Sequence, residues 1–106
     1  CLDELNARDN QFGDEGAKAL AGSKVFQRLQ VLDVSGNGIG PIGIAAILDA
    51  LTSRAYSGKL RSLNLKGNGV SDDELARMIS DRYELAPFLR EIDFGIDSLR
   101  NTQNVS

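Results

Sequence analysis

The hydrophobic positions of this chain follow one phrase that is written four times. In its clearest copy Leu60, Leu63 and Leu65 alternate with polar residues and are followed by Asn68. The other copies begin at Leu2, Leu29 and Leu89, and the position of Asn68 is filled in them by Asn10, Asn37 and Asp97. These four polar positions are 27, 31 and 29 residues apart. Self-similarity at this period predicts a solenoid in which each unit contributes one strand and one helix.

Within each unit the apolar spacing changes from every second residue to every three or four, as expected where a strand leads into a helix. In the third strand Leu63 and Leu65 are predicted to point inward, whereas Ser62, Asn64 and Lys66 face the opposite side. The apolar pattern of the repeat extends to three residues that stand four positions before the later strand leucines: Val25, Tyr56 and Leu85.

The polar residue that ends each phrase is predicted to bond backbone groups of its own turn and of the adjoining unit. Stacked units would then form a structural ladder that satisfies polar groups which no strand covers. Its members are Asn10, Asn37, Asn68 and Asp97. Two helix starts are marked as well, one by Pro41 at a first helical position and one by Ser71 in a capping box with Glu74.

Segments 10–20 and 37–51 resemble the ribonuclease-inhibitor-like class of leucine-rich repeats. The third unit departs from that class at Ser71 and Glu74, where glycines are usual, and the fourth departs at Asp97. The resemblance implies an α/β leucine-rich-repeat solenoid of about 3.5 repeats, with a parallel sheet on the concave face and helices on the convex face. Residues 1–99 would form the repeat segment, with units that start near 2, 29, 60 and 89, and residues 100–106 a polar tail.

The resemblance implies binding, without naming the partner. Members of the class inhibit nucleases, activate the GTPase Ran, sense ligands in innate immunity or regulate actin filaments. We therefore expect a scaffold that binds a protein partner. Two narrower alternatives remain open: a regulator of actin, as in tropomodulin-like and capping-protein-regulating proteins, and a GTPase-activating segment that resembles the Ran activator.

The composition limits the partners and the cellular location that we expect for this chain. The chain has 12 Lys and Arg against 15 Asp and Glu, a net charge of −3, which argues against nucleic acid as the partner. Cys1 is the only cysteine, so no disulfide can form within the chain, and a cytoplasmic, intracellular setting is expected. No apolar run approaches the roughly 20 residues of a membrane span, so no membrane insertion is expected. Because the terminal units show no recognisable caps, the chain is interpreted as a fragment of a longer protein.

Conventional catalysis has little support in these residues. There is no histidine, which excludes an ordinary serine or cysteine triad and a histidine metal site. The sequence G-x-G-x-x-G occurs at residues 38–43, between a predicted strand and a helix, as in dinucleotide-binding folds. The repeat itself explains that match, because the equivalent segments 11–16 and 69–74 keep their position but lose the glycines. We expect no enzyme, no cofactor, no metal and no small-molecule substrate.

The concave face is the predicted binding surface. One outward column consists of Asn or Asp in every unit (positions 6, 33, 64 and 93), which is usual for this class and favours a structural role for it. The class leaves the positions of Arg8 and Lys66 free, and Val31 would be an unusually apolar outward residue. The candidate partner-binding residues are Arg8, Val31, Asp33, Asn64, Lys66 and Asp93.

Overall fold

The computed structural model describes residues 4–53, 56 and 59–95. Three strands alternate with three helices: β1 (Glu4–Asn6), α1 (Gly13–Ala21), β2 (Val31–Asp33), α2 (Pro41–Leu51), β3 (Ser62–Asn64) and α3 (Asp72–Ser80). A short 3-10 helix at Val25–Gln27 precedes the second strand, and another at Pro87–Glu91 includes the start of the fourth leucine-rich phrase. Leu2, Asp97 and the tail 100–106 lie outside the described residues.

The strands form one parallel sheet in the order β1-β2-β3. Leu5 lies beside Leu32 and Leu32 beside Leu63, so equivalent residues of successive units are in register. This is the arrangement that repeated strand–helix units require, because each strand must return to the same side of the sheet after its helix. The predicted α/β solenoid is confirmed.

The core lies between the sheet and the helices. Strand leucines meet helix residues spaced three or four apart, such as Ile44, Ile47, Leu48 and Leu51 on one side of α2. The large side chains that are fully buried are Phe26, Leu32, Ile39, Ile44, Ile47, Leu48, Leu51, Leu63, Leu65, Leu75, Ile79 and Leu89.

Asn37 joins the first two units by hydrogen bonds in both directions. Its Oδ1 accepts from the N–H of Asn10 at 2.8 Å and of Phe12 at 3.3 Å. Its Nδ2 donates to the carbonyls of Ala7 and Val34, each at 2.8 Å. Because the side chain is only 1% exposed, water cannot replace these bonds.

Asn68 repeats the arrangement one unit further along the stack. Its Oδ1 accepts from the N–H of Asn37 at 2.8 Å and of Ile39 at 3.1 Å. Its Nδ2 donates to the carbonyls of Leu65 at 2.8 Å and Val34 at 3.2 Å. Asn10 differs, because its exposed side chain donates at 3.2 Å to the Arg8 carbonyl within the same turn. The carboxamides of Asn37 and Asn68 thus serve the turn of the unit before them.

The helices are spaced unevenly. α1 and α2 pack closely, and α2 and α3 approach less closely. Arg82, just after α3, spans the wider gap: its Nη2 lies 2.9 Å from Oδ1 of Asp49 on α2, and its Nη1 donates to the Met78 carbonyl at 2.7 Å. Most of the Arg82 side chain is buried, so it fills space between the helices as well as pairing its charge.

An aromatic row crosses the units where the helices return to the sheet. The Phe26 and Tyr56 rings lie 5.7 Å apart, and Phe88 stacks on Tyr56 at 5.8 Å. Val25 and Leu85, which the apolar pattern aligns with Tyr56, are 51% and 74% exposed and do not share its burial. A one-turn 3-10 helix at Val25–Gln27 turns Phe26 inward instead of Val25.

The fourth phrase does not continue the register of the first three. The sequence aligns Asp93 with Asn64, but the structure pairs Asp93 with Ser62 in an isolated parallel bridge. The physical cause is the 3-10 helix Pro87–Glu91, which includes Leu89. A 3-10 helix advances about 2 Å per residue and a strand about 3.3 Å, so the chain reaches the sheet about two residues late. Leu89 and Phe94 are nevertheless buried.

We predict that Asn37→Ala lowers the free energy of unfolding by about 3 kcal/mol, because it orphans backbone groups of two units in a buried turn. Asn10→Ala is the matched control and should change it by less than about 0.5 kcal/mol, since its side chain is exposed and bonds one local carbonyl. Urea unfolding followed by circular dichroism measures both. Equal losses in the two variants would contradict a ladder between units.

We predict a pH-dependent effect of Tyr56→Phe. Burial raises the pKa of the Tyr56 hydroxyl above its usual value, and the Leu60 N–H, which donates to the phenol oxygen at 3.1 Å, lowers it by less. Because the folded-state pKa is the higher one, the stabilisation is complete below the unfolded value of about 10 and is lost as pH rises through the folded-state value.

Near neutral pH, Tyr56→Phe should cost about 1 kcal/mol through the lost hydrogen bond to Leu60. That cost should shrink as the pH is raised beyond about 10. The unmodified protein loses stability there because the Tyr56 phenol ionises more readily in the unfolded chain, and the Phe variant has no such phenol. Urea titrations of both proteins between neutral pH and pH of about 11 test this. A cost that stays constant over the range would show that the hydroxyl of Tyr56 is not shielded.

Candidate binding surface

The outward residues of the three strands form what we term the outer sheet face, on the side away from the helices. Two columns cross it: Glu4, Val31 and Ser62, then Asn6, Asp33 and Asn64. Arg8 and Lys66 follow β1 and β3, at the end of the sheet where the strands finish. The six predicted binding residues thus lie on or next to this face, and Asp93 lies beside Ser62.

The Asn and Asp side chains of the second column cap their own strand ends. Oδ1 of Asp33 accepts from the N–H of Ser35 at 3.0 Å, and Oδ1 of Asn64 accepts from that of Lys66 at 3.0 Å. The equivalent bonds at the other two units are 3.3 Å (Asn6 to Arg8) and 2.9 Å (Asp93 to Gly95). Residues that bond a backbone N–H two positions on are typical of turns. This geometry supplies a structural reason for the column that any binding role must accommodate.

The Asp33 side chain is held by a second bond. The Ser35 hydroxyl donates to its Oδ1 at 2.6 Å, so this oxygen accepts two hydrogen bonds from one residue. Asp33 is half-buried. A partner that used this carboxylate would meet it in a fixed orientation, which lowers the entropy cost of binding.

Arg8 and Lys66 are exposed and are the least constrained of the predicted binding residues. Arg8 lies 3.9 Å from Asp9, and both side chains are more than half exposed, so that ion pair contributes little. Lys66 lines a shallow cleft of about 250 Å³ together with Asn64 and Asp93. Val31 is half-buried between Glu4 and Ser62.

The glycine-rich segment 38–43 proves to be an anion site that the protein itself fills. Oδ1 of Asp14 on α1 accepts from the N–H of Gly40 at 2.7 Å and of Gly43 at 3.0 Å, at the first turn of α2. A β-carbon on Gly43 would lie 2.6 Å from Ile39 and 2.7 Å from the Asp14 carboxylate, so no side chain fits there. The carboxylate thus occupies the place that a phosphate takes in dinucleotide-binding loops.

The start of α3 is capped differently from that of α2. Position 41, equivalent to Asp14, is a proline and offers no side-chain oxygen. Ser71 instead accepts from the N–H of Glu74 at 3.2 Å and caps α3. Gly40 has no side chain with which to cap α2. An N-cap is therefore supplied in both cases, once across units and once locally.

Sequence reasoning missed Asp14 as a cap and Phe88 as a member of the aromatic row. The signal for Asp14 was present, because a glycine N-cap at Gly40 needs an acceptor from elsewhere. No signal separated Phe88 from Leu85, since both precede Leu89 at spacings that a short turn can bury.

Two further classes of site are absent from residues 4–53, 56 and 59–95. That part of the chain holds no group of three or more His, Cys, Asp or Glu residues arranged to bind a metal ion. Likewise, none of its helices combines the length and the apolar character that crossing a membrane demands.

We predict that Asp14→Ala lowers the free energy of unfolding by about 1–2 kcal/mol, because two N–H groups of α2 lose their acceptor. Asp14→Asn retains an acceptor oxygen and should cost less. Glu15→Ala, in the same first turn, removes only an exposed pair with Lys18 at 3.9 Å and should be nearly neutral. Thermal melts are the measurement; a Glu15 variant as unstable as the Asp14 one would refute the cap between units.

Comparison with known families agrees with this architecture. The sequence model described as Leucine Rich repeat matches residues 1–21, 27–48 and 57–73, which together make up more than half of the chain. No curated protein matches the chain. Three family matches that follow the strand–helix units in order show that the chain belongs to the leucine-rich repeat family.

Proposed function

We propose that this leucine-rich repeat segment binds a protein partner through its outer sheet face. Leucine-rich repeat domains generally act in protein–protein interaction. The assignment to this face rests on a difference between its polar residues. Asp33, Asn64 and Asp93 each accept a hydrogen bond from the turn that follows, whereas the exposed Arg8 and Lys66 have no such structural role.

In this proposal Arg8 and Lys66 provide charged contacts where the strands finish, and Val31 provides a small apolar contact at the start of the central strand. Val31 lies on the central strand, next to polar residues on both sides, and such a centre within a polar surround is typical of an interface hot spot. Asp33, Asn64 and Asp93 keep the face in one conformation. The second carboxylate oxygens of Asp33 and Asp93 are offered to partner N–H groups, and Nδ2 of Asn64 is offered to a partner carbonyl.

We further propose that the segment belongs to the ribonuclease-inhibitor-like class and acts without catalysis. The single helices of the three units, with nine, eleven and nine residues, support the class, because they fill the convex side with regular structure. The absence of histidine supports a binding role. With Cys1 as its only cysteine the chain suits a cytoplasmic setting. Nothing in the geometry of the described residues favours the actin-directed or GTPase-directed alternatives.

Charge reversal at Lys66 tests the proposal. Lys66→Glu should abolish capture of a protein partner that the unmodified chain retains on an affinity column, because a cation at the end of β3 becomes a carboxylate beside Asn64 and Asp93. Lys24→Glu is the matched control, with the same change in net charge at an exposed position in the turn after α1, and should retain the partner. Quantitative mass spectrometry of the captured proteins provides the readout.

Both variants should have the same circular dichroism spectrum and thermal midpoint as the unmodified chain. Asp33 is unsuitable for such a test, because its reversal would also break the bonds to Ser35. If the Lys66→Glu and Arg8→Glu variants still capture the partner while the Lys24→Glu variant does not, the binding surface lies on the helical side.

A further inference from the structure

A second surface lies at the opposite end of β3 from Lys66. An open cleft of about 610 Å³ is lined there by Gln30, Lys59, Leu60, Arg61, Phe88 and Glu91, and we term it the basic cleft. It lies where the chain enters the sheet, so it is separate from the strand ends that carry Arg8 and Lys66.

The basic cleft results from the irregular fourth phrase. Between the second and third units the Gln30 carbonyl accepts from the N–H groups of Arg61 at 2.8 Å and Ser62 at 3.1 Å, so these two segments lie close together. On the other side of Arg61 the chain is still in the 3-10 helix Pro87–Glu91, and pairing begins only when the Asp93 N–H donates to the Arg61 carbonyl at 2.8 Å. The late return leaves an opening next to Arg61.

The base of the cleft is rigid. Leu60 is buried, and its N–H donates to the Tyr56 hydroxyl at 3.1 Å, which anchors the backbone between Lys59 and Arg61. Phe88 is held by stacking on Tyr56, with ring centroids 5.8 Å apart and planes 18° apart. A pocket whose walls are already ordered loses little entropy when it binds a ligand.

The charge of the cleft is positive in an acidic chain. Lys59 and Arg61 are exposed, and within the described part of the chain neither forms an ion pair. Glu91 contributes one carboxylate to the lining. Among the lining residues that the structure describes, two cations against one anion leave a charge of about +1, which matches a single carboxylate better than a phosphate dianion. Arginine also offers a planar fork of donors that suits a carboxylate.

We propose that the basic cleft binds an acidic–aromatic peptide motif of a protein partner, in which an Asp or Glu side chain lies next to an aromatic one. The carboxylate would bind Arg61 and Lys59, and the aromatic ring would pack against Phe88 and so extend the existing row of rings. Glu91 would accept a backbone N–H of the peptide and disfavour ligands with two negative charges. This site does not depend on the outer sheet face.

A capped hexapeptide with a central Glu–Trp pair, flanked by glycine and serine, is the probe. Titration into the ¹⁵N-labelled chain, followed by amide chemical shifts, should perturb residues 59–61 and 88–91 and leave Arg8 and Lys66 unchanged. The same peptide with Gln in place of Glu should bind about tenfold more weakly, as expected for the loss of a hydrogen bond to a charged group. A peptide with Ala in place of Trp should also be weaker.

Variants of the chain give effects of opposite sign. Arg61→Gln should weaken the Glu–Trp peptide about tenfold, and Glu91→Gln should tighten it severalfold because it removes the competing carboxylate. Lys24→Gln removes a cation in the first unit and should leave the affinity unchanged. All three side chains are exposed, so the fold should persist, and the chemical-shift spectrum of each free variant verifies this.

Several results would overturn the proposal. They are shifts confined to the outer sheet face, equal affinity for the Glu and Gln peptides, a Glu91→Gln variant that binds more weakly, and no binding at millimolar peptide. A phosphoserine peptide that binds the unmodified chain more tightly than the Glu peptide would identify a phosphate site instead. None of these outcomes bears on capture of a partner through Lys66, so the two proposals fail separately.

Discussion

The stack depends on one hydrogen-bonding group, the asparagine carboxamide that ends each strand phrase. Asn37 belongs to the second unit, yet its acceptor oxygen serves two N–H groups of the first, and Asn68 serves two of the second. A carboxamide both donates and accepts, so a single side chain can also satisfy carbonyls of its own and the preceding unit. Each turn is therefore completed only when the next unit is in place. Stability then resides in the contacts between neighbours, as the physics of repeat proteins requires.

Features that recur at the period of the repeat could be predicted from the sequence. The inward leucines of β1, β2 and β3 pair as the phrases align, because identical local patterns return the chain to the same position in each unit. The fourth phrase keeps the hydrophobic pattern with Leu89, Ile92 and Phe94, but the 3-10 helix around Leu89 shortens its path to the sheet. Spacing in the sequence gives the number of residues between two positions, but not the distance that each residue advances along its helix or strand. The same effect moved Phe26 and Phe88 into the aromatic row instead of Val25 and Leu85.

Contacts between units that use one residue from each were not predictable in this way. The cap on α2 joins Asp14 to Gly40 across 26 residues, and no periodic pattern marks it. In the following unit Pro41 removes the carboxylate and Ser71 supplies the cap, so the two units differ in residues while they agree in geometry. A glycine-rich motif next to a helix indicates only that backbone N–H groups are gathered at its start. Whether they face a ligand or a carboxylate of the same chain is decided by the neighbouring unit.

Net charge is likewise a poor guide to what this surface binds. The chain carries −3 overall, but several of its acids lie in the first turns of α1 and α3, where helix dipoles stabilise them. The cations Lys59 and Arg61 precede β3 and Lys66 follows it, so positive charge lies at both ends of one strand. At moderate salt, an approaching partner interacts mainly with charges within about 10 Å, and the total charge of the chain has less effect. An acidic leucine-rich repeat can therefore present two cationic contacts, and the short strand between them fixes their separation.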